Sequence, residues 1–189
     1  MKTMLIGGTE GIGRQMVERF NADAYSGKHG GYNIDHGPDR QELAEESLRY
    51  DVCIVHAHHP GTDSQARLAL RISQKWEEAN KGGYIFTTGS SMTYRPPKRN
   101  DYTTIRYISA KAQLDAMIKQ ISLRYEEGQT KFRITNIRPG FLDTPKSRAK
   151  DYFTSGITGD EYCDIIEFLI NSPKRLIINE MVVNARRDQ

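Results

Sequence analysis

Short apolar runs alternate with amphipathic stretches along almost the whole chain. Thr3-Met4-Leu5-Ile6, Val52-Cys53-Ile54-Val55, residues 84–88 and residues 132–137 are nearly continuous apolar segments bounded by glycine, proline or charge. That is the pattern of strands buried on both faces. Residues 22–26, Tyr32-Asn33-Ile34-Asp35 and residues 180–184 are shorter candidates of the same kind. Between them lie helical patterns. Residues 13–20 follow Ile12, with Met16 and Phe20 at every fourth position; residues 39–50 carry Leu43, Ala44 and Leu48 on one side. Residues 64–80 align Leu68, Ile72 and Trp76, residues 103–127 run to Gly128, and residues 160–170 align Tyr162, Ile165, Ile166 and Leu169. Strands alternating with helices predict a parallel sheet covered on both faces, a doubly wound three-layer αβα fold. Such sheets bind ligands at the carboxyl ends of their strands, so function is expected in the residues that follow each strand.

Composition narrows the class. The chain has 189 residues, 37% of them hydrophobic, with 27 Lys+Arg against 24 Asp+Glu and a net charge of +3. This suits one core and predicts a single domain over residues 1–189. No uncharged apolar stretch approaches the ~20 residues of a membrane span. The opening apolar run stops at Gly7-Gly8 and Glu10, short of a signal sequence. Cys53 and Cys163 both sit in apolar patterns, which argues against a disulfide framework and for a cytoplasmic location. The small basic excess permits anionic partners and gives no sign of nucleic acid.

Directly after the first strand comes Gly7-Gly8-Thr9-Glu10-Gly11-Ile12-Gly13, then a helix. Glycines allow a tight turn and close approach of backbone to a pyrophosphate, which the helix N-terminus stabilises. This strand–turn–helix context predicts a dinucleotide cradle of the Rossmann type, a ligand-free tight turn being the alternative. Further along, Tyr107 and Lys111 stand four apart and therefore share a helix face. A lysine beside a tyrosine favours the phenolate and is expected to lower its pKa from ~10 toward a working range. A hydroxyl from Gly89-Ser90-Ser91, at the end of one strand, and Tyr107, at the start of the next helix, can then converge on one carbonyl.

With these pieces in this order, the chain resembles the short-chain dehydrogenase/reductases along nearly its whole length. The matching segments are Gly7, Gly11 and Gly13, then Ser90, Tyr107-x-x-x-Lys111, and Ile137-Arg138-Pro139-Gly140 followed by Thr144. The resemblance implies hydride exchange between NAD(P) and a carbonyl or alcohol. It makes Tyr107 the proton donor or acceptor, Lys111 the holder of the nicotinamide ribose, and Ser90 the group that orients the substrate oxygen. Pro139, Gly140 and Thr144 would lie beside the nicotinamide, and Asp35, ending a third strand, would meet the adenine.

The chain also departs from the family. Asn-Asn-Ala-Gly is here Val55-His56-Ala57-His58, and the helix over residues 64–76 has no relay asparagine. The Ser90–Tyr107 spacing of 17 is long, and the lid around residues 144–159 is short. His56 and Ala57 are expected to line the cofactor cleft, and with Pro60-Gly61 following the histidines no metal site is expected. Ser26-Gly27-Lys28 lacks a carboxylate, which favours NADP through Lys28, while Glu10 favours NAD. Arg95, Lys98 and Arg99, with Lys146, Arg148 and Lys150, predict an anionic small-molecule substrate, two solvated loops being the alternative. Apolar residues on more than one face of residues 64–80 and 103–127 predict a homodimer or homotetramer. The rival functions are a dinucleotide-binding sensor or scaffold without turnover, and an S-adenosylmethionine-dependent methyltransferase.

Overall fold

The computed structural model describes residues 1–59, 61–94, 101–151 and 153–186, with the side chains of Lys28 and His29 left undescribed. Six strands form one parallel sheet: β1 Thr3–Ile6, β2 Asp23–Tyr25, β3 Val52–Val55, β4 Gly83–Thr88, β5 Phe132–Pro139 and β6 Glu180–Val183. Their spatial order is β2-β1-β3-β4-β5-β6. The helices are α1 Gly11–Phe20, α2 Gly27–Gly30, α3 Gly37–Glu46, α4 Ser64–Glu78, α5 Tyr102–Glu126, α6 Pro145–Arg148 and α7 Gly159–Asn171. This is the expected doubly wound αβα sandwich.

Alternate residues of each strand feed opposite cores. Met4, Ile6, Cys53, Val55, Ile85 and Ile134 pack against Leu43 of α3, Leu68, Ile72 and Trp76 of α4, and Leu114 and Ile118 of α5. Leu5, Val52, Ile54, Tyr84, Phe86 and Ile137 pack against Met16 of α1 and Tyr162, Ile166 and Leu169 of α7. Cys53 and Cys163 are free and buried, one in each core. Helix starts are set by local chemistry. Asp101 accepts from Thr104 N at 2.7 Å to begin α5, and Thr158 with Glu161 forms a reciprocal capping box on α7.

One expected strand is missing. Residues 32–35 form a turn, because Asn33 Oδ1 accepts from Asp35 N at 3.0 Å and Asn33 O accepts from His36 N at 2.8 Å. An asparagine that satisfies the backbone locally competes with sheet pairing. The expected helix over 39–50 is α3 followed by a 3₁₀ turn, Ser47–Arg49. That turn is held by Trp76 Nε1 donating to Ser47 Oγ at 2.9 Å. A second 3₁₀ turn, Ser91–Tyr94, and the short α6 were not foreseen.

The sheet order reverses between β1, whose next strand lies on one side, and β3, which lies on the other. Folds of this kind take ligands at such a reversal, outside the carboxyl ends of the two strands. Beneath the end of β5, buried Arg138 pairs with Asp115 of α5 at 2.9 Å and with Glu180 of β6 at 2.7 Å. Asn136 Nδ2 and Thr93 Oγ1 donate to the same Asp115 carboxylate at 2.6 and 2.8 Å. This cluster fixes the turn after Ser90 to α5. Removing only the cation strands the partly buried Asp115 carboxylate, so Arg138→Met is expected to lower stability by about 3 kcal/mol in urea unfolding. Adding Asp115→Leu is expected to restore much of the loss.

Candidate active site

The glycine turn is shaped by contacts that only glycine allows. Gly7 has φ +100°, and a Cβ there would sit 2.4 Å from Ala57 N. The turn is thus pressed against the segment that follows β3, whose His56 N and Ala57 N both donate to Ile6 O. A Cβ on Gly13 would lie 2.4 Å from Gly7 O, so the helix start is folded back on the turn. Glu10, the N-cap of α1, makes no side-chain cap bond. The N-terminus of α1, directly after the glycine turn, suits an anionic group. A Cβ on Gly11 would meet only Thr144 Cγ2, at 3.7 Å, so the outer face of the turn is open next to Thr144. These features fit a dinucleotide pyrophosphate. Thr9 is partly exposed in the turn, whereas the Ile12 side chain is buried and belongs to the α1–α7 core.

His56, Ala57 and His58 lead from this turn to the expected catalytic residues. The His58 ring stands edge-on to Tyr107, with centroids 5.1 Å apart and planes at 79°. The Ser90 hydroxyl lies near enough to the Tyr107 phenol to act on its pKa. Lys111 Nζ lies 5.9 Å from the centre of the Tyr107 ring. It donates to Thr88 O and to Gln65 Oε1, both at 2.7 Å. The structure thus brings Ser90, Tyr107 and Lys111 together at the carboxyl end of β4, one loop away from the glycine turn.

The electrostatics differ from the sequence expectation in one respect. Burial pushes the Tyr107 phenol above its ordinary value, while the Ser90 hydroxyl offsets part of the rise. Lys111 does not lower it, because the lysine is itself desolvated and turned to Thr88 and Gln65. Burial brings the Lys111 ammonium down to about 7, with Asp115 acting in the opposite direction. His56 is lowered to about 4 and His58 to about 3, mainly by burial and then by Lys111. Both imidazoles are neutral at pH 7. His56 Nδ1 shares a hydrogen with Thr88 Oγ1 at 2.9 Å, and Thr88 Oγ1 lies 3.0 Å from the Tyr162 hydroxyl. His58 Nε2 is buried and finds no hydrogen-bond partner among the described residues.

The remaining expected residues fall around this centre. Asp35 is not at a strand end, but its carboxylate meets the loop after β3, pairing with His59 Nδ1 at 3.0 Å and accepting from Thr62 Oγ1 at 3.0 Å. Pro139 ends β5, and Gly140 N donates to Val183 O at 2.8 Å. A Cβ on Gly140 would lie 2.6 Å from Asn184 Oδ1. Thr144 caps α6, with Ser147 N donating to its Oγ1 at 3.2 Å. The loop that carries α6 is drawn in by the parallel bridge between Leu142 and Ile157. Arg148 is paired with Asp143 and Lys150 lies 5.1 Å from the Phe141 ring centre. Arg95, Lys98 and Arg99 lie outside the described residues, as does the Lys28 side chain. Among the described residues no group of three or more metal-ligating side chains occurs, and no helix is long and apolar enough to cross a membrane. Gln65 is the site residue that sequence reasoning missed. The family resemblance points to an asparagine in α4, and a glutamine at the second helical position carries no signal until its partners are known.

No family model and no curated protein matches the chain by sequence. Solved structures match it in fold. A 3-ketoacyl-(acyl-carrier-protein) reductase from Brucella melitensis, complexed with NADH, has a TM-score of 0.75 at 15% identity, over 97% of this chain and 96% of its own. A 4-hydroxyisoleucine dehydrogenase complexed with NADH gives 0.73 at 16% identity, over 97% of both chains. An acetoin dehydrogenase from Enterobacter cloacae gives 0.71 at 17% identity, over 97% of this chain and 95% of its own. These neighbours are short-chain dehydrogenase/reductases, and what the chain shares with them at such identities is the Rossmann fold.

The buried lysine has a consequence for stability. Its folded-state pKa of about 7 lies below the ordinary lysine value of 10.5. Between those values the unfolded chain binds more protons than the folded one, so stability rises with pH. Denaturant unfolding is expected to show a contribution of up to about 1.4 kcal/mol per pH unit between about pH 7 and pH 10. Lys111→Met is expected to flatten that slope.

Proposed function

We propose that the protein is an NAD(P)-dependent oxidoreductase of the short-chain dehydrogenase type, interconverting a carbonyl compound and its alcohol. The observation that carries this reading is the meeting of Ser90, Tyr107 and Lys111 at the end of β4, beside a glycine turn that is open to an anion. The chain acts as one dinucleotide-binding unit, with residues 144–159 as a short substrate lid.

Gly7, Thr9, Gly11 and Gly13 with the start of α1 would hold the pyrophosphate, and Asp35 the adenosine end. Ala57, Pro139, Gly140 and Thr144 would border the nicotinamide. When bound, the dinucleotide supplies or takes up the electron pair together with one hydrogen. Tyr107 moves the other hydrogen as a proton, to or from the substrate oxygen. Its raised pKa keeps the phenol protonated at neutral pH, which suits donation and so carbonyl reduction. Ser90, beside Tyr107, polarises the same oxygen. Lys111 uses two of its three N–H groups on Gln65 and Thr88, leaving one for ligand oxygens. NADP is favoured over NAD by the lack of a carboxylate in Ser26-Gly27-Lys28. The exposed Leu70 of α4 and Ile105 of α5 favour a homodimer through these helices. A reducing cytoplasm suits the two free thiols.

The second reading, a dinucleotide-binding sensor without turnover, is favoured by His58, whose ring leans on Tyr107. NADH and NADPH binding by fluorescence, paired with turnover on a panel of carbonyls, separates the two. Tyr107→Phe is expected to bind dinucleotide like the wild type and to lose roughly 10²-fold or more in rate. Binding with no turnover on any carbonyl would select the sensor, and absence of dinucleotide binding would overturn both readings.

The anionic substrate rests on the basic segment Lys146, Arg148 and Lys150 that follows the Pro139-Gly140 turn. A carboxylated carbonyl is expected to exceed its neutral analogue in kcat/KM by about 10-fold at low salt, the advantage shrinking as ionic strength rises. Equal, salt-independent values would remove this part of the proposal.

A further inference from the structure

Gln65, 3% exposed at the start of α4, has all of its amide groups engaged at the ends of two strands. Its Nε2 donates to Val55 O at 2.8 Å and to Thr88 O at 3.2 Å. Its Oε1 accepts from Lys111 Nζ at 2.7 Å. The orientation of the amide is fixed by its partners. Turning it over would set NH₂ against an ammonium and a carbonyl oxygen against two carbonyls.

We propose that Gln65 is a positioning residue for the reaction described above: its amide, in direct contact with the Lys111 ammonium, holds that ammonium in place and in its charged form. The inference rests on that functional reading for its purpose, though not for its geometry. A long, flexible lysine buried without a carboxylate in contact needs acceptors that are themselves fixed. Thr88 O is fixed by the β4–β5 ladder, and Gln65 Oε1 is fixed by the two bonds its own amide nitrogen makes. The two acceptors aim Nζ between α4 and β4, below Tyr107.

The other groups around Lys111 leave Gln65 a distinct part. On α5 itself, Tyr107 lies one turn before and Asp115 one turn after. Asp115 favours the ammonium from a distance, its own oxygens being taken up by Arg138, Asn136 and Thr93. From the segment after β3, His56 and His58 face it as neutral rings at pH 7. From β4 comes only the Thr88 carbonyl, and from α4 only Gln65. The side chain of Gln65 is thus the one direct side-chain acceptor that the described residues offer to Lys111.

The test is an NMR titration of the protein labelled with ¹³Cε/¹⁵Nζ lysine, the Lys111 signal being assigned by its loss in Lys111→Arg. Gln65→Met removes the acceptor and is expected to lower the Lys111 midpoint by about one pH unit; Gln65→Glu places a carboxylate there and is expected to raise it by about as much. In turnover, the pH dependence of kcat should move in the same two directions, a pair of opposite shifts that a loss of general packing would not produce. Midpoints that stay within about 0.3 unit of the wild type in both variants would overturn the inference. If Gln65→Met does not fold, the near-isosteric Gln65→Glu decides alone. The titration needs no turnover, so failure of the oxidoreductase reading shows in the Tyr107→Phe experiment and failure of the Gln65 inference shows here.

Discussion

A buried ammonium at the carboxyl end of β4 is the constraint around which the site is built. Among the described residues Lys111 has no carboxylate in contact; it is held by one backbone carbonyl and one amide oxygen. Thr88 is where the surrounding elements meet. Its carbonyl accepts from α5 and α4, and its hydroxyl contacts His56 after β3 and Tyr162 of α7. The last residue of a central strand therefore ties both helical layers to one point. A site anchored there inherits the rigidity of the sheet.

The polarity of a parallel sheet explains why opposite charges are invited to neighbouring places. Strand ends at this edge present carbonyl oxygens, which suit an ammonium such as Lys111. Helices that begin at the same edge present amide hydrogens, which suit an anion. In this chain the two surfaces are joined by a short path, from the glycine turn through Ala57 and His58 to Tyr107. The desolvation that depresses Lys111 and raises Tyr107 acts on both from the same dry strand ends.

The fold was legible because its information is periodic and local. Runs such as Val52-Cys53-Ile54-Val55 and the fourfold spacing of Leu68, Ile72 and Trp76 determine burial, and burial determines layers. The failure at residues 32–35 is also local in origin. Ile34 and its neighbours have a strand-like composition, but the Asn33 side chain bonds the backbone two residues on, and composition does not report that competition. Ser90, Tyr107 and Lys111 were legible because their order and spacing carry chemistry before any fold is known. Gln65 and the Arg138–Asp115–Glu180 cluster were not. Each joins residues more than 20 positions apart whose meeting exists only after the helices dock.

The error over Tyr107 shows where a motif stops being an argument. Spacing places a lysine one turn below a tyrosine, and in water such a pair would help the phenolate. Inside the protein, the cation's influence depends on whether it keeps its charge and where its hydrogens point. Lys111 is turned to Thr88 and Gln65 and weakened by burial, so desolvation governs Tyr107 instead. The phenol consequently keeps its proton, and the side chain that controls it most directly is Ser90. Any ligand that brings hydroxyls or negative charge to Lys111 offsets the burial of the ammonium and strengthens its charged form, and a stronger cation at that distance favours the phenolate. Under the proposed oxidoreductase reading, a dinucleotide bound beside Lys111 would therefore shift the proton affinity of Tyr107 through a lysine held by an amide and a strand end.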